Sequence, residues 1–229
     1  MRDLTAMSAL STLATFFGLA FTALLPLINP VGDGLVFLGL VGPAPPNVYR
    51  SLAKKIAIST TLFMLVIEVI GTALLRFFGI SLPVMQVAGG LVIAAMGWGL
   101  LKQEQAPATS DTASFKDTDL TSLESQVFYP FTFPITAGPG CIVIMVTLSA
   151  HASVQGVASS VAAHAGIVLA VVLLSVAVYW CYGYAPTLTA RVRPQTAHGI
   201  LRVIAFLLLC IGVQITWNGV AALVKEVLT

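Results

Sequence analysis

Six long apolar windows follow one another along the chain, at approximately 15 to 42, 52 to 78, 83 to 101, 125 to 149, 157 to 184 and 199 to 224. Each is close to or longer than the roughly 20 residues that an α-helix needs to cross about 30 Å of hydrocarbon. A backbone in lipid must satisfy its polar groups internally, so runs of this length predict helices. The pattern therefore predicts an all-α membrane protein with six transmembrane helices. The longest polar interval, "KQEQAPATSDTASFKDTDLTSLE", begins at residue 102 and is rich in Thr, Ser, Asp and Ala. It holds too little apolar surface to fold alone. Read as a linker over 103–123, it divides the chain into a three-span unit at 1–102 and another at 124–229.

Composition sharpens this picture: 58% of the residues are hydrophobic and 9% charged, with a mean hydropathy of +0.97. The net charge of +2 is small and the Lys and Arg residues flank apolar runs, which excludes a nucleic-acid partner. Arg50, Lys54, Lys55, Lys102, Lys116, Arg191, Arg193 and Arg202 fall on one side of the predicted membrane, and Arg2, Arg76 and Lys225 on the other. By the positive-inside rule, the linker is cytoplasmic and both termini are not. The start, "MRDLTAMSALSTLATFF", lacks the basic region and cleavage site of a signal peptide, so the first apolar run reads as a retained span. Cys141, Cys181 and Cys210 all fall within apolar runs, where cysteine acts as a small hydrophobe and implies no disulfide framework.

Three is an odd number, so two similar halves of three spans would insert with opposite orientations. This suggests an inverted repeat. Two interruptions support it. "LINPVGDGLVF" in span 1 and "YPFTFPITAGPGCIV" in span 4 both carry prolines and glycines inside apolar sequence, with Asn29-Pro30 and Gly138-Pro139 in corresponding places. Asparagine and glycine suit a helix N-cap and proline the first helical position, while the residue before proline is driven out of the helical region. Spans 1 and 4 are thus predicted to be broken near the midplane. Each break would free N–H groups, at Val31, Gly32 and Asp33 and at Gly140, Cys141 and Ile142, and would do so within an enclosed or water-filled space. A helix N-terminus favours an anion and the preceding carbonyls a cation, a combination that fits a zwitterion.

The predicted substrate-binding residues are accordingly Asn29, Pro30, Gly32, Asp33, Gly34, Thr132, Thr136, Gly138, Pro139 and Gly140. Gly32 and Gly140 would allow close backbone approach. Placing a charge near the bilayer centre costs about 2.5 to 3.5 kcal/mol. Asp33 and Glu68, both inside apolar spans, are therefore candidates for proton coupling, with an ion-paired role as the alternative for Glu68. Thr132 and Thr136, four apart, are weaker candidates because threonine also bonds its own helix carbonyls. Gln214 and Asn218 read as interhelical hydrogen-bonding residues, Arg202 as an interfacial anchor. His164 has no His or acidic neighbour at ligand spacing in sequence and reads as a packed or interfacial histidine; neither a metal nor a cofactor is implied.

The runs "NPVGDGLVFL", "LLRFFGISLPVMQVAGGLVI", "PFTFPITAGPGCI" and "GVQITWNG", in this order, resemble the MarC family of bacterial and archaeal integral membrane proteins. The resemblance covers the chain apart from the linker and extreme termini. It implies kinship with lysine-exporter-like transporters, a bacterial inner-membrane setting and, from some members, a small neutral amino acid such as alanine or glycine as substrate. Two departures from the family pattern stand out. Asp33 and Leu35 stand where "NPxGN" and a following proline are usual. The acidic position of "GExxLRFFGIS" falls on Thr72, with Glu68 one turn earlier.

The expected function is secondary transport by alternating access around the two broken helices. A channel or an accessory membrane protein is the alternative, and a homo-oligomer is left open. An intramembrane enzyme is disfavoured because no HExxH, GxSxG or paired-acid motif occurs. The remaining partner is the lipid bilayer itself.

Overall fold

A computed structural model describes residues 2–102, 120–153, 156–191 and 194–228. Most of the expected linker, residues 103–119 with Lys116, lies outside the described residues, as does Arg193. Nine α-helices occur among the described residues: α1 Arg2–Ile28, α2 Pro30–Val41, α3 Pro46–Phe77, α4 Leu82–Lys102, α5 Leu120–Ser125, α6 Pro139–Ala152, α7 Val157–Gly183, α8 Ala185–Arg191 and α9 Pro194–Leu228. A wide-turn segment, Val127–Thr136, precedes α6. No strand occurs among the described residues. Five helical stretches are long and apolar enough to cross a membrane, and a sixth arises when the wide-turn segment and α6 are joined across their bend. The protein is an all-α, multi-pass membrane protein.

The two interruptions differ. α1 and α2 continue as one apolar span, Ala9–Val41, whereas the wide-turn segment and α6 meet at 71°. At the first, Asn29 takes a left-handed conformation (φ 39, ψ 62) and its side-chain oxygen accepts a hydrogen bond from Gly32 N at 3.2 Å. Asn29 N donates to Leu25 O and Asp33 N to Asn29 O, both at 2.9 Å, so the ladder is bridged across Pro30. At the second, Pro130 and Pro134 each remove a donor, and the residues before them, Tyr129 and Phe133, are extended. The lost α-bonds are replaced by longer-range ones. Phe131 N donates to Gln126 O at 3.3 Å and Ala137 N to Thr132 O at 2.8 Å. Thr132 Oγ1 donates to Val127 O at 2.8 Å, and Thr136 Oγ1 to Phe131 O at 2.7 Å. Threonine hydroxyls thus add bonds to the Val127 and Phe131 carbonyls within the widened turns.

α7 is the central helix. It packs on α1, α2, α3 and α6, while α4 and α9 form the most extensive pair on the other side of α6 and α1. Ala163, Ile167, Ala170, Val171, Leu174 and Val178 of α7 are buried, and Gly166 brings its backbone against Leu13 and Phe17 of α1. Small residues of this kind let membrane helices touch backbone to backbone, where van der Waals packing replaces the missing hydrophobic drive. At the basic end of the bundle, Arg50 lies 4.9 Å from the ring centre of Tyr184 and Lys102 lies 5.2 Å from that of Trp98. Trp180 stacks on Tyr184 at 5.2 Å. Amphipathic rings with cations beside them mark a membrane–water interface.

Candidate functional site

Both interruptions converge on the basic end of α7. Phe37, on the second turn of α2, is fully buried and stacks on Tyr182 of α7 at 4.9 Å. The same ring meets Phe131 of the wide-turn segment edge-on at 5.5 Å and Tyr49 of α3 at 6.2 Å. Gly34, one turn before Phe37, lets the Cys181–Tyr182 backbone and ring come within ordinary contact of α2. This aromatic joint aims the Tyr182 hydroxyl at Thr136, with 2.8 Å between the two oxygens. Tyr182, Thr132 and Thr136 are all fully buried. Asp33 is half-buried in the first turn of α2, next to Gly34, whose position faces Cys181 and Tyr182. A carboxylate, a phenol and a threonine hydroxyl from three different elements are therefore brought into one region of the bundle.

The other predicted site residues surround it in various ways. Asn29 spends its side chain on Gly32 N, so that N–H is capped rather than free. Gly32 faces this same carboxamide, and a Cβ there would lie 2.0 Å from Asn29 Nδ2. Pro30 and Gly138 are buried, and Pro139 is exposed at the start of α6. Gly140 lies against Leu27 of α1 and Ile93 of α4. Cys141 N donates to Gly138 O at 3.0 Å, another bonded N–H where a free one was expected. Each half-helix start is thus more self-satisfied than the sequence suggests, because a short polar side chain or a turn carbonyl reaches the nearest donor first. Tyr182 was not singled out by sequence reasoning. Its signal is faint: one tyrosine among the aromatics of "VYWCYGY", where an interfacial belt is the ordinary explanation.

A second polar group lies between α3, α6 and α7. Glu68 Oε1 is 2.5 Å from His164 Nδ1, and Ser149 Oγ donates to the Glu68 backbone carbonyl at 2.8 Å. Glu68 is thus partnered by an imidazole inside the bundle. His164, read from the sequence as a packed or interfacial histidine, is packed against an acidic partner that the contact of α3 with α7 brings from 96 residues away. Ser149 and Cys141 are eight residues apart on α6, about 12 Å along the axis, so this group is separate from the Tyr182 region. Gln214 Nε2 donates to Asn218 Oδ1 at 2.8 Å on an exposed face of α9, a bond within one helix where an interhelical one was expected. Among the described residues, no cluster of three or more His, Cys, Asp or Glu side chains is suited to a metal.

Comparison with known proteins fits this architecture. The sequence profile described as "MarC family integral membrane protein" matches residues 14–224. The chain belongs to the MarC family. The inner membrane protein MarC of Salmonella typhimurium is 30% identical over 220 residues, spanning 91% of this chain and 95% of that one. Its namesake in Escherichia coli O1:K1 / APEC is 28% identical over 210 residues, with the same coverage. No solved structure matches the chain. In this MarC family member, then, the motif runs that carry the resemblance are those that form the two interruptions and the α4 and α9 interface.

Proposed function

We infer that the protein is a secondary transporter of small neutral amino acids in the bacterial inner membrane, coupled to protons and working by alternating access around its two interrupted spans. The observation that carries this reading is the convergence of both interruptions on the buried Thr136 and Tyr182 pair, with the half-buried Asp33 beside it. A zwitterion needs a positive pole and a negative pole a few ångströms apart; the dipoles at the starts of α2 and α6 favour its carboxylate and the Asp33 carboxylate its ammonium. Asn29, Pro30, Gly32, Asp33, Gly34, Thr132, Thr136, Gly138, Pro139 and Gly140 form the surroundings of the substrate on this reading, with Tyr182 added. Asp33 and Glu68 are the proton carriers. The basic, Trp- and Tyr-rich end of the bundle faces the cytoplasm and both termini face away, as the relatives' inner-membrane setting and the charge asymmetry favour.

Alternating access in this reading rests on an inverted repeat, and the α4 and α9 interface supports one. Gly90 lies against the backbone of Gly212 and Thr216, and Gly212 against Gly90 and Ala94; Gly97 lies against Ala205 and Leu209, and Gly219 against Pro83 and Val87. Every contact has its mirror at the same spacing in the other helix, as a two-fold axis between equivalent third spans requires. Other helix pairs follow suit: α2 packs on α7 as α6 packs on α3, and α1 packs on α7 as the wide-turn segment packs on α3.

The test is uptake of alanine, glycine and a panel of other amino acids by the protein reconstituted in liposomes, with an imposed pH gradient. Saturable, counter-exchangeable uptake is expected, lowered about tenfold by Tyr182→Phe, since one buried hydrogen bond to substrate is worth about 1.4 kcal/mol. Asp33→Asn or Glu68→Gln should flatten the pH profile; if both leave it unchanged, proton coupling is wrong. Non-saturable flux would identify a channel. The absence of any flux would point to an accessory role.

A further inference from the structure

The group around Glu68 is built for more than holding α3 to α7. Glu68 lies nine residues in from Phe77 at the end of α3, about 14 Å along the axis, and its side chain is 4% exposed. His164 is 34% exposed and brings Nδ1 to 2.5 Å from Glu68 Oε1. Its other nitrogen, Nε2, lies 3.5 Å from Ser153 Oγ, where α6 ends. Glu68 Oε2 is buried and has no hydrogen-bond partner. Ser149, the nearest hydroxyl in the group, donates to the Glu68 backbone carbonyl, not to the carboxyl group. One carboxyl oxygen thus meets a half-exposed imidazole and the other faces the interior without a donor, an arrangement that favours a carboxyl group holding a proton over a bare carboxylate.

We propose that Glu68 and His164 form a one-proton relay site, loaded from the end of the bundle where α6 hands over to α7, with His164 as the port and Glu68 as the buried acceptor. In the loading step a proton from water binds Nε2, and the proton on Nδ1 passes along the 2.5 Å contact to Oε1. The N–H bond at Nδ1 breaks as the O–H bond forms, leaving a neutral imidazole protonated at Nε2 and a neutral carboxylic acid. Unloading is the reverse, or release from the Oε2 side toward the interior. Among the described residues the charged and titratable neighbours are few. His151 of α6 has Nδ1 engaged by Thr147 O at 2.7 Å on its own helix. Arg76 is exposed two turns farther along α3, and α1 meets α6 and α7 with the apolar Phe16, Ala20 and Leu24.

This deepens the assignment of Glu68 as a proton carrier, and it is testable without substrate, so its failure is distinct from failure of the amino-acid reading. The full chain in lipid nanodiscs is taken through a rapid downward pH jump and followed by infrared difference spectroscopy. Wild type should develop a carboxylic-acid carbonyl band that is missing in Glu68→Gln. In His164→Ala the same band should appear at least tenfold more slowly, and imidazole in the buffer should restore the rate. His164→Gln, which keeps a polar side chain of similar reach, serves where the alanine variant fails a thermal-unfolding control, and should be equally slow. The proposal is overturned if wild type shows no Glu68-dependent band, if loss of His164 leaves the rate unchanged, or if a folded variant is slow but deaf to imidazole. In the last case the pair is a structural brace.

Discussion

Asn29 shows how much one residue does at an interruption. Its left-handed backbone suits asparagine or glycine, and its carboxamide caps Gly32 N across Pro30. Asn29→Ala should therefore destabilise the protein by about 2 kcal/mol, about 1 from the lost cap and about 1 from the backbone conformation. Asn29→Gly, which keeps the backbone freedom, should cost only a few tenths. Thermal unfolding of the detergent-purified variants measures both, and equal losses for the two would mean that the backbone conformation is not the constraint. The same geometry shows what Gly32 and Gly140 can report. A Cβ at Gly32 would meet Asn29, and one at Gly140 would lie 2.7 Å from Leu27 Cδ2. Leucine at either position perturbs protein packing first, so Tyr182→Phe and Asp33→Asn are the cleaner probes of binding.

At the scale of elements, the α4 and α9 pair depends on backbone touching backbone. A Cβ added at Gly212 would lie 2.3 Å from Ala94 N and 2.6 Å from Gly90 O, atoms that cannot swing aside as a flexible side chain would. Gly212→Val should force the helices apart and cost about 1 to 3 kcal/mol, the usual range for overpacking. Gly99 lies on the same α4 helix with nothing within 4 Å of its added Cβ. Gly99→Ala should be neutral or raise stability by up to about 1 kcal/mol through helix propensity. If unfolding temperatures fail to separate these two variants, close packing is not what holds α4 to α9.

For the molecule as a whole, the charge asymmetry makes a prediction about sidedness. Lys55 and Phe78 are exposed at opposite ends of the α3 region. In a cysteine-free background, a cysteine at position 78 should react with a membrane-impermeant thiol reagent added to intact cells. One at position 55 should react only after the membrane is opened. The reverse pattern would invert the orientation, and with it the side from which His164 is reached.

Much of this was legible in the chain because the bilayer imposes a one-dimensional rule. Helix length against hydrocarbon thickness placed six spans within a few residues of Ala9–Val41, Pro46–Phe77, Leu82–Lys102, the Val127–Ala152 pair, Val157–Gly183 and Leu201–Leu228. Asn-Pro and Gly-Pro marked both interruptions because capping and proline geometry are local. Locality ends there. Whether an interruption bends depends on the donors that remain, so Pro26 and Pro30 with an asparagine cap left a nearly continuous span, while Pro130 and Pro134 with Thr132 and Thr136 left a wide-turn segment bent by 71° against α6. The partner of a buried side chain depends on which helices pack. Glu68 and His164 are 96 residues apart, and Thr136 and Tyr182 are 46 apart. Neither spacing carries a period or a motif. In a lipid setting no solvent pattern distinguishes the face of a helix that meets another helix from the face that meets acyl chains, so these pairings were decided by tertiary packing alone.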